Sequence, residues 1–127
     1  MNQGIIFLLS EDDDTRRLMK QNLRMIGYQV MSAEDVDDAL ERTRDGITRA
    51  DLILLDLVGK TAEQALQVGR QIREQAKYDG QTPLVVMAER YDKSLEGTEA
   101  NAGGNDWIFY LGEEPNQLRN LLARLTS

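Results

Sequence analysis

The stretch Ala50-Asp51-Leu52-Ile53-Leu54-Leu55-Asp56-Leu57 decides the predicted fold. It is a short apolar run that ends on an acid, which is typical of a strand buried on both faces of a parallel sheet. Asp56 then lies at the carboxyl end of that strand, where ligands and chemistry collect in open α/β sheets. A carboxylate there can bind Mg2+ or attack a phosphoryl group. A solvated acid that merely ends a strand accounts for the same pattern.

Composition excludes several classes of function. The 127 residues predict a single domain over residues 1–127, large enough for a hydrophobic core. The absence of Cys and His excludes disulfides, Cys-ligated zinc and imidazole proton shuttles. The net charge of -7 argues against direct nucleic-acid binding, and a soluble acidic surface explains it. Since neither a membrane span nor a signal-peptide pattern is visible, we expect a cytoplasmic protein without membrane contact.

Strand-like and helix-like segments alternate along the chain. The predicted strands cover residues 4–10, 28–31, 51–57, 84–88 and 106–111. The predicted helices cover residues 14–26, 32–45, 61–77, 93–100 (a weak pattern interrupted by Gly97) and 115–125. Five such βα units predict an α/β three-layer sandwich. Its five-stranded parallel sheet is expected in the order 2-1-3-4-5, which is the flavodoxin-like arrangement.

A run of acids follows the first strand, at Ser10-Glu11-Asp12-Asp13-Asp14. In the predicted order the first and third strands are neighbours, so we expect Glu11 beside Asp56. Two close carboxylates repel each other unless a cation lies between them, and Mg2+ with oxygen ligands suits such a site. An ordinary helix start explains the run as well, and we expect both: Glu11 faces the site while Asp13 or Asp14 caps the helix.

With these pieces the chain resembles the receiver domain of response regulators in two-component signalling. The resemblance covers nearly all of it and is strongest in four segments: E-D-D-D-T-R-R-L, D-L-I-L-L-D-L, T-P-L-V-V-M and G-N-D-W-I. It implies that Asp56 is the phosphoacceptor, phosphorylated by a histidine kinase with Mg2+ bound. It also implies a metal site formed by Glu11, Asp56 and the backbone carbonyl of Val58.

The same resemblance places the family's pair of metal-binding acids at Ser10 and Glu11, so the first acid is a Ser here. A register with the pair at Asp12 and Asp13 is the alternative. Because one acid is missing, we expect weak Mg2+ binding.

Three further positions depart from the family's pattern. Ala88 stands where the family has a Thr or Ser hydroxyl that contacts the phosphoryl group. Tyr110 and Leu111 stand where the family has a Lys-Pro pair, so the fixed cation is missing. The loop after Asp56 lacks the family's Pro and Asp-Gly, although Gly59 can form a different turn and Lys60 can supply a cation.

Trp107 matches the family's aromatic switch residue.

Two functions follow from this comparison. The first is a degenerate receiver that signals through protein contacts, with weak or no phosphorylation at Asp56, because the switch positions Ala88 and Tyr110 are altered. The second is a working phosphoacceptor that is phosphorylated on Asp56 with Mg2+. Neither makes the chain an enzyme with substrate turnover. The expected partner is a histidine kinase or another signalling protein, and the last strand and helix offer a contact face for a homodimer. An unrelated flavodoxin-like domain is the remaining alternative, although flavin binding lacks a phosphate loop.

Overall fold

The computed structural model of the chain describes residues 4–44, 49–78, 81–88, 91–112 and 114–126, with Pro115 described by its backbone alone. The strands are β1 (Ile5–Ser10), β2 (Gln29–Ala33), β3 (Leu52–Asp56), β4 (Leu84–Ala88), β5 (Glu99–Asn101) and β6 (Asp106–Tyr110). The helices are α1 (Asp13–Met25), α2 (Val36–Thr43), α3 (Ala62–Gln75) and α4 (Pro115–Thr126). None of the helices in the described ranges is both long and apolar enough to cross a bilayer.

The sheet has six strands in the order β2-β1-β3-β4-β6-β5. The pairs β1–β2, β1–β3, β3–β4 and β4–β6 are parallel. Because β6 is the fifth strand of the sequence prediction, the predicted order of the parallel strands and the flavodoxin-like class are confirmed. The sixth strand, β5, was not predicted; it pairs antiparallel with β6 at the edge of the sheet.

The region of residues 93–100 corrects the prediction of a weak helix. It contains a short 3-10 turn at Lys93–Leu95 and then the edge strand β5. Gly97 has a φ of 75°, a left-handed conformation that ends any helix and that Gly adopts without strain. Its N–H donates to the carbonyl of Tyr110 at 2.8 Å, so the chain is drawn against β6 instead of continuing as a helix.

The central strand β3 is buried on both faces. Leu52, Ile53, Leu54 and Leu55 are each 0% exposed. Ile53 and Leu55 belong to the core on the α2 and α3 side of the sheet, whereas Leu52 and Leu54 belong to the core on the α1 and α4 side. The alternation confirms the sequence interpretation of a central strand, in which successive side chains point to opposite faces.

Caps explain where the helices begin and end. Thr61 and Gln64 form a reciprocal capping box at the start of α3. Asp35 caps α2 by accepting from the Asp38 N–H at 2.7 Å, so this helix begins later than the predicted range 32–45, and Ser32 lies within β2. α2 is described to Thr43, and the predicted end at residue 45 lies outside the described residues. Gly27 follows α1 with a φ of 107°, a conformation that Gly adopts readily after a helix.

A buried ion-pair cluster clamps α3 to the start of β6, at the amino-terminal edge of the parallel strands. Asp106 is 5% exposed and accepts from Arg73 at 2.7 Å and from Arg70 at 2.8 Å. Burial alone would raise the pKa of Asp106, but the hydrogen bonds and charges of Arg73 and Arg70 outweigh it, so the pKa lies below its ordinary value. The cluster therefore stabilises the fold in its ionised form.

The buried position of Leu54 gives a test of the sheet. Leu54→Asp places an unpaired carboxylate in the core, and we expect it to lower the free energy of unfolding by more than about 4 kcal/mol. The matched control is Leu18→Asp, because Leu18 is 59% exposed on α1. We expect that variant to change stability by less than about 1 kcal/mol. Urea denaturation followed by circular dichroism measures both, and a cooperatively folded Leu54→Asp protein of near-normal stability would contradict the central position of β3.

The clamp at Asp106 predicts a pH-dependent contribution to stability. Asp106→Asn should lower the free energy of unfolding at pH 7 by about 2–3 kcal/mol, since the arginines lose their charged partner. The folded-state pKa of Asp106 is depressed, so its contribution is present above the unfolded pKa of about 3.9 and is lost as pH falls through the folded pKa. The stability difference between the two proteins should therefore shrink below about pH 4. Chemical denaturation across pH 3–7, with the exposed Asp37→Asn as control, measures it, and a constant difference would rule the clamp out.

Candidate functional site

The predicted site residues meet at the carboxyl edge of the parallel strands. Ser10 ends β1 and is the register partner of Asp56, which ends β3. Ala88 ends β4 and is the register partner of Tyr110, which ends β6. Ser10 is 0% exposed and Asp56 is 3% exposed, so the edge carries a carboxylate that is almost withdrawn from solvent. The structure thus brings the sequence-predicted residues to one end of the sheet.

Ser10 and Glu11 connect the end of β1 to the end of β3. The Ser10 hydroxyl lies 3.4 Å from Asp56 Oδ2, a long and therefore weak hydrogen bond. The backbone N–H of Glu11 donates to the Asp56 carbonyl at 3.3 Å. The Glu11 carboxylate accepts from the backbone N–H of Val58 at 2.9 Å. Glu11 therefore holds the loop after β3 against the end of β1.

Asp12 is the residue that caps α1, which corrects the prediction of Asp13 or Asp14. Its side chain accepts from the Thr15 N–H at 2.8 Å. The hydrogen bonds from Thr15 are the main reason that the pKa of Asp12 lies below its ordinary value. Asp12 is thus used at the start of α1, whereas Ser10 and Glu11 contact the end of β3.

Arg16 is part of this edge, and the sequence interpretation gave it no role. Its guanidinium donates to the Ser10 carbonyl at 2.9 Å and also pairs with Asp13. The side chain is only 15% exposed, so the positive charge is held close behind the end of β1. The spacing of Asp13 and Arg16 by three residues signals their ion pair, but the contact with Ser10 depends on how α1 packs on the sheet.

The donor set at this edge fits a weak Mg2+ site. Among the described residues, no group of three or more acidic side chains is placed to hold a metal ion. Glu11 and Asp56 nevertheless supply two carboxylates on adjacent strand ends, and Mg2+ is commonly bound by one or two carboxylates together with water. Metal binding would compete with the hydrogen bond between Glu11 and Val58.

The ends of β4 and β6 carry a methyl group and a phenol. Ala88 and Tyr110 are both half-buried and paired in register. Tyr91 packs edge-on against the Tyr110 ring, with centroids 5.4 Å apart and planes at 65°, and its hydroxyl donates to the Leu111 carbonyl. The sequence interpretation missed Tyr91, because no local pattern links residues 19 positions apart in a loop and a strand.

Trp107 lies on the other face of β6. It packs against the core on the α1 and α4 side, and the Arg124 guanidinium lies 5.8 Å from its ring centroid. The indole N–H is buried and meets no acceptor among the described residues. Trp107 therefore packs on the α1 and α4 side of the sheet and contacts α4.

The loop between β3 and α3 adopts the altered turn expected from its sequence. Gly59 has a φ of 74°, and an added Cβ there would meet no other atom within 4 Å. A substitution at Gly59 would therefore strain the backbone without a steric clash. Lys60 is exposed beside the Thr61 cap, so its ammonium is close to the site but remains in contact with solvent.

Comparison with curated proteins identifies relatives among transcriptional regulatory proteins. The chain is 26% identical over 125 residues to the uncharacterized transcriptional regulatory protein YkoG of Bacillus subtilis, covering 98% of this chain and 50% of the relative. It is 29% identical over 122 residues to the transcriptional regulatory protein CpxR of Escherichia coli, covering 94% and 47%. The chain thus spans about half the length of these relatives. No family model matches.

Solved structures show the same architecture. The chemotaxis protein CheY4 of Vibrio cholerae matches with a TM-score of 0.70 and 19% identity, covering 96% of this chain and 98% of that one. The response regulator TrrA of Thermotoga maritima, solved in complex with Mg(2+)-BeF, matches with a TM-score of 0.68 and 19% identity, covering 98% and 99%. The chain has a receiver-domain fold. Together with the named relatives, this fold supports a response-regulator receiver domain of two-component signalling.

Glu11 provides a test of the geometry of this site. Glu11→Ala removes the acceptor for the Val58 N–H, so we expect that amide to exchange about tenfold faster with solvent deuterium. Glu11→Gln keeps an acceptor oxygen and should restore most of the protection. Hydrogen exchange measured by NMR at pH 6–7 distinguishes the two variants. Equal exchange in all three proteins would show that Glu11 does not hold the loop.

Proposed function

We propose that this receiver domain is degenerate and signals through protein–protein contacts, with weak or no phosphorylation at Asp56. The register pairing of Ala88 with Tyr110 carries the proposal. At the two strand ends beside the carboxylate edge, it puts a methyl group and a neutral phenol where the family uses a hydroxyl and an ammonium. Phosphoryl transfer depends on such fixed donors and cations, because little other chemistry is required of the protein.

Without the family's hydroxyl and ammonium, we expect both slower phosphoryl transfer and a weaker conformational response to it. A preorganised donor or cation is worth roughly 2–4 kcal/mol in a water-excluded site, so each loss slows transfer by a factor on the order of 10² or more. Two cations described near this edge are poorly placed to compensate. Lys60 is exposed on the loop, and Arg16 is engaged by the Ser10 carbonyl and by Asp13. Without a hydroxyl at Ala88, a phosphoryl group on Asp56 has no side chain to draw toward it.

Weak Mg2+ binding at Glu11 and Asp56 belongs to the same proposal. The metal would neutralise charge between the two carboxylates when bound, and Val58 is placed next to Glu11 by its backbone N–H. Ser10 contributes a neutral hydroxyl where the family has an acid, which removes one charged ligand. Among the structural neighbours, the receiver domain of sensor histidine kinase PA1611 was solved with magnesium in its active-site cleft, which supports the metal in general.

The partner of the domain is proposed to be a histidine kinase or another signalling protein. Structural neighbours include receiver domains described as parts of histidine kinases, such as that of the hybrid kinase CckA. A homodimer through β6 and α4 is a second proposed contact. Arg124 on α4 pairs with Glu99 on β5, and both side chains retain exposure, at 56% and 29%, so this face carries charge that a partner can meet.

A working phosphoacceptor is the second candidate, and the pairing of Glu11 with the end of β3 favours it. Glu11 contacts both the Asp56 carbonyl and the Val58 amide, so a carboxylate is held beside the acceptor residue. Asp56 is buried at the strand end, where a phosphoryl group would be shielded from bulk water. In this alternative Mg2+ supplies the charge neutralisation that Tyr110 lacks.

Incubation with beryllofluoride and Mg2+ separates the two candidates. In a degenerate receiver the emission of Trp107 should stay almost unchanged, because a ligand shifts a conformational equilibrium only by its differential affinity for the two states. The double variant Ala88→Thr with Tyr110→Lys should gain part of the response, since it restores the hydroxyl and the cation together. Asp56→Asn in that background is the control and should abolish the gain.

Intact-mass spectrometry after treatment with acetyl phosphate and Mg2+ gives an independent measurement. We expect little or no addition of a phosphoryl group to the unmodified chain and more to the double variant. Rapid, near-complete phosphorylation of the unmodified chain that Asp56→Asn removes, together with a large beryllofluoride response, would contradict the degenerate function and establish the phosphoacceptor.

A further inference from the structure

A cleft of about 390 Å³ opens beside the carboxylate edge, between the loop after β3, the start of α3 and the ends of β4 and β6. Its volume falls in the range of pockets that hold small organic ligands. The cleft shares Val58, Ala88 and Tyr110 with the carboxylate edge. The chemistry of its walls decides what it can take.

The deep part of the cleft is apolar. Leu57, Ala65, Val86 and Met87 line it, and all four are buried in the core. Ala88 contributes only a methyl group at the end of β4, which leaves the space open. A surface of this kind favours an apolar ligand, because binding removes the apolar surface of both the cleft and the ligand from water.

Tyr110 gives the cleft an aromatic wall. Its ring lines the space and is buttressed by Tyr91, whose edge-on contact and hydrogen bond to Leu111 hold the pair in place. Among the described residues, the main chain of Tyr110 accepts a hydrogen bond from Gly97 and donates one to Thr98. An oriented ring of this kind offers both a packing surface for a planar ligand and a hydroxyl at its rim.

Lys60 carries the charge among the described residues that line the cleft. Two acids adjoin these residues, but each carboxylate has a partner: Glu11 accepts from the Val58 N–H at 2.9 Å, and Asp56 is 3% exposed with its Oδ2 directed toward Ser10. The described polar side chains that line the cleft are the Lys60 ammonium, the Thr61 hydroxyl and the Tyr110 phenol.

We infer that this cleft binds a small planar aromatic anion, with the ring between the apolar floor and Tyr110 and the carboxylate or sulfonate at Lys60. The ligand class follows from the apolar floor, the aromatic wall and the cationic rim taken together. The inference rests on the degenerate function, in which no phosphoryl group occupies this space, but its test is separate because binding is measured on the unmodified chain without a phosphodonor.

The probe for the test is 2-naphthoate, and its uncharged twin 2-naphthamide controls for the charge. Titration of the 15N-labelled chain, followed by NMR, should give saturable shifts at the amides of Gly59, Lys60, Ala88 and Tyr110. The amide probe should bind about threefold to tenfold more weakly, because it lacks the charge that meets Lys60. Absence of saturable binding of 2-naphthoate, or saturable shifts that map to another surface, would overturn the inference.

Two variants locate the site. Ala88→Leu fills the cleft and should abolish saturable binding, whereas Ala123→Leu on the exposed face of α4 should leave it intact. Lys60→Gln should weaken 2-naphthoate to the affinity of the amide, and Lys93→Gln, an exposed lysine away from the cleft, should not. If Ala88→Leu fails to fold, the comparison of Lys60→Gln with Lys93→Gln tests the site by itself, because substitution of an exposed loop lysine should not unfold the chain. Unchanged affinity in Lys60→Gln would disprove the assigned anion position.

Discussion

The parallel pairing of β1 with β3, both buried in the middle of the sheet, is the constraint on which the rest of the structure depends. The register sets Ser10 opposite Asp56, and a slip of one residue would turn every apolar side chain of β3 to the wrong face. Two cores, one on each side of the sheet, oppose such a slip. Because both neighbours of β3 are also strands, Asp56 is carried to an edge where its carboxylate is almost inaccessible to water.

The positive charges of the described residues are mostly held away from the carboxylate edge. Two arginines are committed to Asp106 at the opposite end of the sheet, where they stabilise the packing of α3 on β6. Arg16 is committed to the end of β1, and Lys60 remains at the solvent-exposed rim. No described side chain therefore places a fixed cation at the end of β6, where Tyr110 stands. The proposal of a degenerate receiver rests on this distribution of charge.

The edge strand β5 pairs with β6 and fixes the main chain around Tyr110. Where the weak helical pattern of residues 93–100 predicted another helix, Gly97 and Thr98 bond to Tyr110 and the chain extends the sheet. Tyr110 is thereby fixed through its main chain while its ring packs edge-on against Tyr91. The strand is only three residues long, as is common for edges that avoid uncontrolled pairing.

The sequence by itself determined the order of the parallel strands, the two-sided burial of β3 and the position of Asp56 at its end. It could do so because apolar runs, alternation and helix caps are local patterns with direct physical causes. It placed the cap of α1 one or two residues late, because several neighbouring acids can serve as a cap. It predicted a helix at residues 93–100, because the pairing of this segment with β6 is a long-range contact that a local pattern does not show. Only the tertiary structure decided that Glu11 binds the Val58 amide, that Arg16 reaches the Ser10 carbonyl and that Tyr91 packs on Tyr110. These contacts join different elements across the fold, and their partners are chosen by how the helices and loops pack on the sheet.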